Sequence, residues 1–120
     1  MAETQSPGQG NTFDLAPIVA EMRAEDVYRR EGHTARTLVR EKDLRVVLVV
    51  VKGGGVIKEH RANETASMHV LSGHLHVRLR ERLVDLPGGN LLVLERGLPH
   101  NVEAIDESVF LLTLGWHQNG

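Results

Sequence analysis

From residue 35 to residue 114 the chain is written in short β-rich runs, punctuated by turn signals and none of them reaching helical length. The runs cover residues 35–39, 44–51, 56–59, 66–71, 74–80, 83–86, 91–94, 100–104 and 109–114. Between them stand Glu41-Lys42-Asp43, Gly53-Gly54-Gly55, Ser72-Gly73, Pro87-Gly88-Gly89, Gly97-Leu98-Pro99 and Asp106-Glu107. Strands joined by such short links pair antiparallel, because a parallel neighbour needs a crossover of about a dozen residues or more, usually a helix. No helical periodicity follows the first run. The pattern therefore predicts an all-β antiparallel sandwich or barrel rather than a βαβ fold.

Two runs say how such a sheet must be covered. In residues 44–51, Val47, Val49 and Val51 fill one face while Leu44, Val46, Leu48 and Val50 fill the other. A strand apolar on both faces needs cover on both. One cover is the barrel interior; the other has to come from an N-terminal helix or a second subunit. Residues 109–114 are similarly apolar on both sides, and exposed apolar patches of that size favour a two-fold partner, so a homodimer is expected. Residues 74–80 instead alternate: Leu75, Val77 and Leu79 face inward, and His74, His76, Arg78 and Arg80 outward. With Arg82 this outward set forms a basic, solvated stripe, and His69 is placed on the surface with it. Val47, Val49, Leu75, Val77, Leu79, Leu92 and Leu112 are expected in the core.

Before the strands, residues 1–13 read as a flexible polar tail. Asp14 is a candidate N-cap, and Leu15, Ile18, Val19 and Met22 then recur at helical spacing, predicting a short helix with an apolar stripe. Residues 25–31 are charged, end at Gly32, and read as a connection that completes an N-terminal unit over 14–31. Residues 32–120 are left for the barrel.

The 120 residues carry no cysteine, which removes disulfides, thiolate metal sites and cysteine nucleophiles and fits a cytoplasmic protein. The first residues lack the basic and apolar regions of a signal peptide, and the longest apolar run, residues 46–51, is too short to span a bilayer. Net charge is −2, and Phe13, Tyr28, Phe110 and Trp116 are all the aromatics, so neither a basic field nor a stacking platform is available for nucleic acid. Gly53-Gly54-Gly55 is followed by β-branched residues rather than a helix start and lacks the lysine of a phosphate-binding loop at its place, so it reads as a turn.

The spacing of Gly54, His60 and Gly73, with Val70-Leu71-Ser72 before the last, resembles the first motif of the cupin superfamily. There a glycine is followed by His-x-His, a glutamate and a closing glycine. Gly89, Gly97 and His100 resemble the second motif. The resemblance spans residues 35–114 and implies a single antiparallel cupin barrel (double-stranded β-helix or jelly roll). It also implies that His60 and His100 point into it from neighbouring strands.

Family members hold iron, manganese, nickel or zinc with three histidines and a glutamate. Here Ala62 and Ala66 stand at two of those four positions, and Glu95 and Ala104 replace the proline and asparagine of the second motif. The resemblance thus implies a degenerate metal site. The candidate ligand pocket is His60, Ala62, Ala66, Met68, His100 and Val102, a polar pair in an apolar wall, with small-molecule binding as its function. The alternative is a metal-dependent or histidine-based enzyme, dioxygenase- or isomerase-like, with a divalent zinc, nickel, manganese or iron ion on His60 and His100. Glu64 is the candidate third ligand, although four residues of straight strand span about 13 Å.

Overall fold

A computed structural model describes residues 10–115, apart from the side chain of His60. Most of the predicted tail, residues 1–9, and the last five residues of the predicted barrel segment lie outside the described residues. The chain folds as α1 (Leu15–Arg23), α2 (Asp26–Glu31) and β1 (His33–Arg40). There follow β2 (Arg45–Val51), β3 (Val56–His60), β4 (Ala66–Arg78), β5 (Leu83–Pro87), β6 (Leu91–Leu94) and β7 (His100–Leu114). Every strand pairing is antiparallel.

β4 and β7 are longer than the sequence pattern suggests. Ser72-Gly73 and Asp106-Glu107, breaks by their sequence, both lie inside continuous strands. They are opposed bulges. The β4–β7 register slips between Val70 and Ser72, again on to His74, and again on to Leu75, where the partners are Val109, Asp106 and Ala104. Gly73 takes φ +91°, and a Cβ there would stand 2.3 Å from the Glu107 carbonyl oxygen and 2.3 Å from Ser108 Oγ. Only glycine fits so close an approach of two backbones. Ser108 Oγ accepts the His74 N–H at 2.9 Å and donates to the Asp106 carbonyl at 2.7 Å, satisfying groups that the bulge takes out of the ladder.

This crease divides each long strand between two walls. One wall runs β1-β2-β7-β4-β6 through residues 66–72 of β4; the other runs β3-β7-β4-β5 through residues 74–78. Between the walls lie Val49, Val51, Met68, Val70, Leu75, Val77, Leu86, Leu92, Leu94, Val102, Ala104 and Phe110, with Val47, Leu79 and Leu112 packed at the margin.

The outer face of β2 has its own cover. Leu48 and Val50, both fully buried, pack with Val109 against Val19, Met22 and Tyr28 of the helices. Of the two covers the sequence left open for that face, the helical one is present. α2 was read as connection because its six residues are mostly charged; it is fixed by tertiary contacts instead. Tyr28 is buried, its hydroxyl donates to Glu107 Oε2 at 2.7 Å, and Arg23 meets the same carboxylate at 3.0 Å. Thr34 Oγ1 donates to Glu25 at 2.6 Å, and Arg36 bridges Glu21 and Glu25 at 2.8 and 3.0 Å. Those bonds, Thr34's first, hold the Glu25 carboxyl below its ordinary range. Among the described residues no helix is long and apolar enough to cross a membrane.

Candidate functional site

The barrel opens at the ends of β1, β2 and β7 and the start of β4. Register stacks its inner face in rows. Arg45 pairs with Leu114, Leu114 with Ala66, and Ala66 with Leu94; one row deeper, Val47 pairs with Leu112, Leu112 with Met68, and Met68 with Leu92. The outer row borders a cavity of about 240 Å³. Its apolar wall comes from Val47, Ala66, Leu94, Leu98, Leu112 and Leu114, and its polar groups are Thr37, His100, Arg40, Arg45, Arg61, Glu64 and Glu95. Three arginines face two glutamates, and Arg45 Nη2 stands 3.9 Å from Glu64 Oε1.

Of the residues singled out in the sequence, Ala62, Glu64, Ala66 and His100 border this cavity. Met68 lies in the core, 1% exposed, and Val102 is in the same core, paired with Ile57 and Val77 towards the other end. His60 and His100 are register partners across β3 and β7, while the His60 side chain lies outside the described atoms. His100 is buried, and its Nδ1 is 3.0 Å from the Leu98 carbonyl oxygen. A carbonyl only accepts, so Nδ1 carries a proton, and in the neutral ring Nε2 is then the lone-pair nitrogen.

That tautomer suits a metal ligand or a base, but the other described side chains of the interior do not complete a metal site. Ala62 and Ala66 offer no donor, and Glu64 is turned to Arg45. A catalytic ion ordinarily takes three protein ligands, and the described interior does not assemble them.

A group that does meet this count lies elsewhere. His74, His76 and Asp85 bring one donor atom each within 4.8 Å of one another, on the outside of the second wall. His76 is the register partner of Asp85, and His74 sits on the diagonal. Their Nε2 atoms stand 3.0 and 2.6 Å from the same Asp85 Oδ1. Hydrogen bonding to His74 first, supported by His76, holds the Asp85 carboxyl below its usual range. The outward placement of both histidines follows from strand alternation, with Leu75 and Val77 fully buried between and beyond them. The stripe is less basic than its own sequence suggests, because β5 sets Asp85, and β7 sets Glu103 and Asp106, at register positions against it. β4 also ends at Arg78, leaving Arg80 and Arg82 in the turn. A two-residue turn at Arg80-Glu81 would have put Asp85 opposite His76, and that is the signal that pointed to it.

No protein-family model matches the sequence, and no curated protein matches it. Solved structures do match the fold. A cupin-2 domain protein from Shewanella frigidimarina superposes with TM-score 0.69 at 17% identity, over 86% of this chain and 93% of that one. A conserved protein of unknown function from Streptococcus pyogenes gives 0.68 at 22% identity, over 80% and 89%. Salicylate 1,2-dioxygenase from Pseudoaminobacter salicylatoxidans, in an adduct with gentisate, gives 0.77 at 14% identity, over 86% of this chain but 32% of the enzyme. The chain has the cupin fold: a single antiparallel double-walled barrel, preceded here by two short helices.

Proposed function

We propose that this protein is a small-molecule-binding cupin whose ligand enters the barrel mouth, and that the ligand is a compact, apolar-bodied carboxylic acid. The carrying observation is the cavity's polarity: an aliphatic wall of Val47, Ala66, Leu94, Leu98, Leu112 and Leu114 beside Arg40, Arg45 and Arg61, which outnumber Glu64 and Glu95. An apolar wall supplies burial, and a guanidinium fixes a carboxylate in orientation. The volume of about 240 Å³ lies under the roughly 300–1,000 Å³ of drug-sized sites, which selects a small metabolite. His60 and His100 mark the inner polar point of the pocket in this reading. We place the protein in the cytoplasm as a homodimer, with Leu91 and Val93, about 60% exposed on β6, in the subunit contact.

The test is titration of the ¹⁵N-labelled chain with salicylate and with its neutral amide. Salicylate is expected to move the amides of Ala66, Leu94 and Leu112, the amide to do so more weakly, and Arg45→Ala to remove the difference. Shifts scattered away from the mouth, or equal responses to both compounds, would sink the proposal.

A second reading is turnover at His100, favoured by the bond from its Nδ1 to Leu98, which presets Nε2 as a base. Recovery of the bound acid unchanged after long incubation, with and without added divalent metal, counts against it. Conversion that disappears in His100→Ala establishes it.

A further inference from the structure

We propose that His74, His76 and Asp85 form a binding site for a divalent transition ion on the outer face of the barrel, separate from the mouth. Two histidines two apart on one strand share a face because Leu75 between them points into the core. Opposite them, β5 supplies one carboxylate, directly across from His76 and diagonal to His74. Both imidazoles already converge on one oxygen through Nε2, at 2.6 and 3.0 Å.

The geometry leaves little to rearrange. Ligand atoms bound to zinc at about 2.0–2.2 Å in a tetrahedral arrangement lie roughly 3.4 Å apart. The existing distances therefore need to open by less than about 1 Å, at the ends of three side chains that keep partial solvent access. Each neutral ring has only to carry its exchangeable proton on Nδ1 instead of Nε2.

The backbone under the site is held. His74 lies within the β4 bulge, its N–H fixed by Ser108 Oγ, and a bulge is a device for re-aiming a side chain. Register also sets Glu103 beside His76 and Asp106 beside His74 on the β7 side, while Arg78 follows as the next outward position of β4. Three carboxylates around two imidazoles make the patch attractive to a cation. Two nitrogens and one oxygen select borderline ions (zinc, nickel or copper) over calcium or magnesium. Water completes the coordination, since the site is open.

The ion's three ligands are not among the residues that line the mouth, and variants separate the two sites. Calorimetric titration of the full chain with nickel chloride near pH 7.5 is expected to show about one ion per chain. His76→Gln and Asp85→Asn should each weaken it at least tenfold, and His100→Ala should leave it unchanged. All three variants are checked by far-UV circular dichroism and by their thermal midpoints. Substoichiometric copper(II) should broaden amide signals around residues 74–76 and 85 ahead of those of the mouth. No binding by the parent chain overturns the proposal, as does binding retained in both outer variants. A loss confined to His100→Ala overturns it too, by moving the ion to the interior. Weakening in the outer variants with broadening at residues 74–76 and 85 upholds it.

Discussion

Tyr28 is the only tyrosine in the chain, so one absorbance change near 295 nm reports the seam between helices and barrel. Burial is the main cause that lifts its phenol from the ordinary 10.0 to about 12, and its hydrogen bond to Glu107 adds to the shift. A phenol kept neutral in the folded state stabilises that state fully below pH 10, and the contribution fades as pH rises through 10 to 12. Raising the phenol from 10.0 to about 12 is worth about 2.7 kcal/mol at most, since a tenfold change in acidity is about 1.36 kcal/mol. The assay is a spectrophotometric titration from pH 8 to 13, with circular dichroism at 222 nm recorded in parallel. The expected curve is either centred near 12 or, if the protein unfolds first, steep and coincident with the loss of ellipticity. Tyr28→Phe should remove the absorbance change and flatten stability against pH between 10 and 12. A shallow one-proton curve centred near 10, with ellipticity unchanged, would refute the claim that α2 seals this face of β2. Glu107→Gln should lower the midpoint only part of the way, because desolvation remains.

Three further outcomes are expected of the same molecule. Gly73→Ala should cost about 2 kcal/mol or more in urea denaturation, from the positive φ together with a Cβ 2.3 Å from the Glu107 carbonyl oxygen; a change under about 0.5 kcal/mol would mean that the crease is soft. The double variant Ala62→His, Ala66→Glu restores two donors beside His100 at the mouth and is expected to bind nickel or zinc at least tenfold tighter there, about 1.4 kcal/mol. It is best measured in an Asp85→Asn background so that the outer site does not contribute, and no gain in a folded variant would mean that His60 and His100 do not converge. Sedimentation equilibrium at tens of micromolar should give a dimer, and a strict monomer would show that Leu91 and Val93 of β6 stay in solvent and make no subunit contact.

What the sequence made legible is what strand alternation controls. The opposite faces of Val49 and Val50, the inward Leu75 and Val77, and the outward His74 and His76 follow from a period of two, and the structure keeps them. What it hid depends on which residues meet across strands. Ser72-Gly73 and Asp106-Glu107 carry the composition of turns, and nothing local says that each is opposed by the other in a bulge. Asp85 carries no signal of its own in the sequence, and only pairing sets it opposite His76. α2 was missed for a related reason: its six residues hold their shape through Tyr28 and the bond to Glu107, a residue 79 positions away. The motif spacing pointed to the barrel, and the missing donors at Ala62 and Ala66 were equally plain in it. The arginine rim was not legible, because Arg40, Arg45 and Arg61 come from three separate segments.

The crease at Gly73 and Ser108 has a mechanical meaning as well. β4 and β7 each pass through it without a loop, so the two walls are stitched by the same pair of threads. Neither wall can be peeled away while the other stays whole, and loosening the corner slackens the mouth and the outer histidines together. In hydrogen-exchange terms, amides on both sides of the corner belong to one opening unit rather than two. A molecule seated in the mouth would then slow exchange at His74 and His76 without touching either.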